Sequence, residues 1–371
     1  LSIVFLMILF SVMAFFLFSK KEEMNKVENR MLAKMPEFDV NNLDLFPSQY
    51  DKYYSDHFPF RSELVQEFNK FNYNNFRISP LPDKVVIGLN GFLFMSNFQM
   101  ETFQGRNLFT GDELKSVVNE LIYRRDYCLN RGIKFYFVIL PQKHTIYSEF
   151  IPSRFKPSSV HQTLRVQLEK QLKLKDFDFV DPTDSLIEKK KEKYLLYYKT
   201  DNHWNNLGAF YGAQVILKRI NEDFPQVRIP KISDYLVSEI NSTSGNLAQM
   251  LNLQNDLSED KVILEPMKPT TARTGEKVPY TPTEGFAYTD EYEMVFKNPE
   301  ANELKALFIR ESFANSQKEF YANAFGKTVL IWDRWQYALN ESIIENEKPD
   351  IVVIQVLESN LPKLLNNQSH K

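Results

Sequence analysis

The chain has 371 residues, enough for one large domain with additions or for two domains. Its 43% hydrophobic and 25% charged residues are those of a folded protein, and a net charge of −3 gives no electrostatic reason to expect a nucleic-acid partner. A lone cysteine, Cys128, excludes an internal disulfide and any cysteine-based zinc site.

The first 18 residues, LSIVFLMILFSVMAFFLF, carry no charge. As a helix they reach ~27 Å, close to a bilayer core, and no Ala-x-Ala cleavage pattern interrupts them. The run predicts a transmembrane anchor over 1–19. Lys20 and Lys21 follow, and alone they favour a cytoplasmic position for what comes after. Residues 20–84 read as a juxtamembrane linker and a helical entry region, with aromatic residues at helical spacings broken at Pro59. KVVIGLNGFLFM then places two β-rich runs around Asn90-Gly91, a hairpin signal.

From residue 112 the pattern becomes α/β, and residues 85–371 are taken as one domain. DELKSVVNELIYRRDYCLNRG is a helix with apolar residues at 114, 117, 118, 121 and 122 and a stop at Gly132; Cys128 lies in it as a buried structural thiol. IKFYFVIL is a buried strand, followed by a helix near 160–175 and a short strand, FDFVD. NNLGAFYGAQVILKRI is an amphipathic helix capped by Asn205 or Asn206. Residues 256–300 are rich in Pro and Thr with scattered β runs and read as an irregular insertion, a lid or substrate-contacting flap. Strands KALFIR, TVLIW and DIVVIQVL then alternate with helices over SFANSQKEFYANAF and near 336–347. Alternation of this kind predicts a parallel sheet with helices on both faces.

In such a domain reactive groups gather beyond the C-terminal ends of the strands. Asp201 and His203 follow the apolar run YLLYY, and i, i+2 spacing on an extended segment sends both side chains to one side. The carboxylate can then orient the imidazole, or else cap a turn beside a core histidine packed on Trp204. Ser312 follows a buried strand and opens a helix, where backbone N–H groups can stabilise an oxyanion; the same position suits a plain helix cap. Lys143, His144 and Tyr147 lie just past another strand end; they bind an anionic substrate, help hold the active site, or are solvated loop residues. The candidate substrate-binding residues are Lys143, Tyr147, Trp204 and Arg310. No His-Glu-x-x-His, G-x-G-x-x-G or phosphate loop occurs. Asp56-His57 precedes FPFR outside the α/β region and reads as structural.

YKTDNHWNNLGA and LFIRESFANS resemble the Asp-x-His-Trp and nucleophile segments of the alginate O-acetyltransferase (AlgX/AlgJ-like) family. So do ENRMLAKMPEF, YYSDHFPFRSEL, KVVIGLNGFLF and the closing KPDIVVIQVLESNL. The resemblance implies an SGNH-hydrolase-like three-layer α/β/α fold with the catalytic segments permuted, Asp and His preceding Ser. It implies Ser312 as nucleophile, His203 as general base and acid, Asp201 as its orienter, and no cofactor or metal. It implies acetyl transfer to hydroxyls of a polysaccharide outside the cytoplasm, with a polytopic membrane-bound O-acyltransferase as acetyl donor. Two departures stand out: Glu311 replaces the family's usual Asp before the serine, and Asn246 replaces an acid in SGNLAQML. A carbohydrate acetylesterase and a non-catalytic polysaccharide-binding or scaffold protein of the same fold are the alternatives.

Overall fold

A computed structural model describes residues 2–18, 24–25, 30–40, 43–157, 161–282, 284–333 and 335–368. The apolar N-terminal run forms helix α1 (Ser2–Phe18), 17 residues long. At ~1.5 Å per residue this is ~26 Å, close to a hydrocarbon core of ~30 Å. Among the described residues no helix is long and apolar enough to cross a membrane. The spanning anchor expected over 1–19 is not confirmed by the described residues; Leu1, Ser19, Lys20 and Lys21 lie outside them. Helices α2 (Phe46–Asp56) and α3 (Arg61–Phe76) follow, with Pro59 between them as the aromatic spacing indicated. Phe16 of α1 packs on Tyr53 and Tyr54 of α2, and Phe15 meets Phe60 at the start of α3.

Strands β1 (Val85–Ile87) and β2 (Leu93–Met95) pair antiparallel. Asn90 and Gly91 at the tip have φ of 54° and 81°, the two left-handed residues that a type I′ hairpin turn needs. Helix α4 (Gly111–Leu129) begins in a capping box between Thr110 and Glu113 and buries Leu114, Val117, Val118, Leu121 and Cys128. Strand β3 (Lys134–Leu140) and helix α5 (Leu164–Leu174) follow. The strand expected over FDFVD is reduced to one parallel bridge, Val138 to Val180. Helix α6 (Asn206–Asp223) is capped by Asn205, which accepts from the N–H groups of Leu207 and Gly208 at 3.0 Å each.

The chain then builds a nine-residue antiparallel ladder between β4 (Tyr235–Thr243) and β5 (Ser258–Pro266), with the short helix α7 (Asn246–Met250) between them. Two further strands are β6 (Arg273–Thr274) and β7 (Glu293–Lys297). The segment 256–300 is therefore more regular than an insertion of loops. The remaining elements are β8 (Lys305–Ile309), α8 (Lys318–Ala324), β9 (Lys327–Ile331), α9 (Glu341–Glu347) and β10 (Ile351–Leu357).

The main sheet runs β3-β10-β8-β9-β7-β6. Its first four strands are parallel; β7 and β6 are antiparallel. The sheet is thus mixed, not wholly parallel, because 256–300 supplies the edge that sequence alternation assigned to no strand. Tyr136, Val138, Phe308, Leu330 and Val353 face one way, into a core with α6 and α8. Their alternate neighbours Phe135, Phe137, Leu307, Val329 and Val352 face a second core with α4, α5 and α9. This period-two partition makes three layers, α/β/α, with β8 in the interior of the sheet.

Candidate active site

Chain leaving the C-terminal end of β8 passes through Arg310 and Glu311 into a 3-10 turn, Ser312–Ser316. Glu311, not Ser312, caps this turn: its Oε2 accepts from the Phe313 N–H at 3.3 Å. The Ser312 hydroxyl is thereby released from capping, and the side chain is partly exposed.

The second half of the site is the loop closed by the antiparallel bridge between Tyr197 and Trp204. Asp201 Oδ1 accepts both from the backbone N–H of His203 at 2.9 Å and from its Nδ1 at 2.7 Å. Asp201 Oδ2 accepts from the Asn246 N–H at 3.0 Å. Burial raises the pKa of the Asp201 carboxyl, but the bond from His203, its charge and the backbone N–H groups outweigh it and hold the group at about 2. An ionised Asp201 puts the imidazole proton on Nδ1, so Nε2 is left to accept. It lies 2.8 Å from Ser312 Oγ. Asp201, His203 and Ser312, far apart in sequence, are brought into one hydrogen-bonded line.

Trp204 ties the two halves together. It is fully buried, its Nε1–H donates to the Phe313 carbonyl at 2.9 Å, and its ring meets Phe313 edge-on at 5.2 Å. The His203 ring packs on the same Phe313 at 4.9 Å. Movement of either loop is therefore felt by the other.

The expected substrate contacts are corrected. Lys143, Tyr147, Trp204 and Arg310 are all in the interior, at most 2% exposed. Tyr147 accepts from the Leu196 N–H at 2.9 Å, and burial pushes its phenol up to about 12. Arg310 donates to Asn315 Oδ1 and the Glu291 carbonyl and lies 5.1 Å over the Trp332 ring. Burial pushes its guanidinium down to about 10. Lys143 donates to three backbone carbonyls. Next to it His144 is neutral: burial holds its pKa near 3, and its ring bonds the Met95 carbonyl. Position after a strand end marks a residue as near the site; it does not say which way the side chain turns.

Two residues that sequence reasoning gave no role support the carboxylate. The backbone of Gly245 lies so close to Asp201 that a Cβ there would sit 2.3 Å from the Asp201 Cβ. Glu259, inside the segment read as irregular, accepts from the N–H groups of Lys199 and Thr200. Asn246 had a signal only through SGNLAQML; no local signal distinguishes Glu259.

Residues 85–279, more than half of the chain, match the family described as SGNH hydrolase-like domain, acetyltransferase AlgX. The chain belongs to this family. The stretch matched to the AlgX family takes in Asp201 and His203 and ends before Ser312. A curated relative, named probable alginate O-acetylase AlgJ, of Pseudomonas aeruginosa, is 29% identical over 138 residues, 37% of this chain. That match spans 33%, about a third, of the relative's length. Among solved structures, PatB1 of Bacillus cereus is similar with a TM-score of 0.53 at 20% identity, covering 74% of this chain and 97% of PatB1. A DHHW family protein of Eubacterium siraeum is similar with a TM-score of 0.51 at 15% identity, covering 76% and 98%. At these identities the likeness is one of fold, and it places this AlgX-family chain among the SGNH-like α/β proteins.

Proposed function

We propose that the chain is a serine-dependent O-acetyltransferase that acetylates hydroxyls of a polysaccharide outside the cytoplasm. The observation that carries this reading is the line from Asp201 through His203 to Ser312, at 2.7 and 2.8 Å. His203 Nε2 takes the Ser312 proton as Oγ attacks the acetyl carbonyl of the donor. The Ser312 backbone N–H, at the start of the 3-10 turn, supports the developing oxyanion. The imidazolium, stabilised by Asp201, returns its proton to the leaving group, and acetyl-Ser312 remains. A sugar hydroxyl then gives its proton to His203 and attacks the ester, and Ser312 leaves with that proton. Family membership and the name of the AlgJ relative support acetyl transfer to a polysaccharide. The acetyl donor is a polytopic membrane-bound O-acyltransferase. Helix α1, uncharged and apolar but for Ser2 and Ser11, with Phe5, Phe10 and Phe18 exposed, anchors the chain in the membrane where that donor resides.

PatB1 has also been solved with a sulfonyl adduct, which recommends the probe. A sulfonyl fluoride should label wild-type protein at Ser312 and leave Ser312→Ala unlabelled. With an activated acetyl ester and uronate, glucan or amino-sugar oligomers, wild type should yield acetylated oligosaccharide. Free acetate alone from every acceptor, with deacetylation of acetylated polymer, would replace the transferase by an esterase. Absence of labelling would leave a binding protein.

A further inference from the structure

Beyond its closing bridge, the turn carrying Asp201 meets strand backbone only where the Leu93 N–H of β2 donates to the Lys199 carbonyl at 2.8 Å, among the described residues; its other backbone polar groups are buried or half-buried and need partners. Two charged side chains from distant parts of the chain supply them. Lys143, 1% exposed, sends its ammonium to the carbonyls of Tyr198, Lys199 and Asp201 at 3.0, 3.1 and 2.6 Å. Glu259, 3% exposed, receives the Lys199 N–H at 2.9 Å and the Thr200 N–H and hydroxyl at 2.6 Å each. A cation thus takes the carbonyl side of the turn and a carboxylate its amide side. The Thr200 carbonyl is met in turn by the N–H groups of Leu247 and Ala248 from α7, whose Asn246 N–H holds Asp201 Oδ2.

We propose that Lys143 and Glu259 are positioning residues for the reaction, a two-sided clamp that sets the Asp201 carboxylate against His203. The inference rests on the triad reading above and adds to it. Three acceptors match the three N–H donors of an ammonium, and a neutral amine offers only two. Burial pulls the Lys143 pKa down to about 7, while Asp201 and Glu259 pull it up; neighbouring His144 is neutral and competes for none of the three carbonyls. The ammonium also faces the Phe94 and Phe92 rings at 5.2 and 5.8 Å. The site gives it no route to substrate, so its action passes through the backbone of the turn.

The test compares full-length wild type with Lys143→Met and Glu259→Gln and with the double variant. Rates on a small acetyl ester are followed against ester concentration, with sulfonyl fluoride labelling of Ser312 and thermal unfolding alongside. A slack turn misplaces Asp201 by a fraction of an ångström to an ångström, so kcat should fall about 100-fold in Lys143→Met with KM changed little. Glu259→Gln keeps one acceptor oxygen and should lose about 10-fold. Losses in the double variant should be smaller than the product of the singles, because both act on one turn. Lys143→Arg, which keeps the charge and the donors, should recover part of kcat. If wild type labels at Ser312 and both single variants keep its kcat, the clamp is overturned and the triad stands. The clamp is equally overturned if losses track only the unfolded fraction seen on melting. If wild type itself fails to label, the serine mechanism falls and the clamp with it.

Discussion

Asp201→Asn is the sharpest perturbation of the site, because all three N–H groups that meet Asp201 are identified. The carboxylate takes two from His203 on Oδ1 and one from Asn246 on Oδ2. An amide offers one oxygen, so one side must lose. If the amide oxygen stays with His203, its NH2 confronts the Asn246 N–H and leaves a part-buried donor unmet, at about 1–3 kcal/mol. If the amide turns round, its NH2 donates to His203 Nδ1 and forces the ring proton onto Nε2, facing Ser312. The base is then blocked, and kcat should fall by about 10³–10⁴-fold, the scale on which a triad in the wrong tautomer fails. Stability carries a second signature. Asp201 is held at about 2 in the folded protein against an ordinary 3.8. That depression contributes about 2 kcal/mol above the unfolded value, lost as pH falls through 3.8 towards 2. Asn cannot titrate, so the gap in stability between wild type and variant should be full at pH 6 and close by about that amount at pH 2. Denaturant midpoints at pH 6, 4, 3 and 2 and ester cleavage at pH 7 measure both effects. Activity within 10-fold of wild type, or a stability gap independent of pH, would refute the assigned role of Asp201.

Gly245→Ala puts a Cβ where the Asp201 side chain already stands, so kcat should drop at least about 10-fold with helix and sheet content unchanged by circular dichroism. Trp204→Phe keeps most of the ring but leaves the buried Phe313 carbonyl without its donor; denaturant unfolding should register a loss of about 1–3 kcal/mol, and sulfonylation of Ser312 should slow. Burial pushes the Cys128 thiol up to about 12, so it should resist a thiol-reactive dye at pH 8 until the protein is unfolded; rapid labelling of native protein would contradict its place inside α4.

Much of the fold was legible because its signals are local. The stripe Leu114, Val117, Val118 and Leu121 marks the buried face of α4, and Asn90-Gly91 meets the backbone demand of a tight hairpin whatever surrounds it. Apolar runs announced β3, β8, β9 and β10, and the Asp-x-His spacing put Asp201 and His203 within reach of one another before any long-range contact was known. Ser312 at a strand end followed from the same local reading. Tertiary structure alone decided the order of the strands, the antiparallel edge made by β6 and β7, and the pairing of β4 with β5, the second of which lies in a segment that looked irregular. It alone turned Lys143 and Arg310 inward, where a charge is stable only because carbonyls and side chains from remote segments happen to converge on it. And it alone brought Glu259 to the turn below Asp201. Periodicity and turn chemistry are written over a few residues, but a partner for a buried charge is chosen by how whole layers pack, and no short stretch of sequence carries that information.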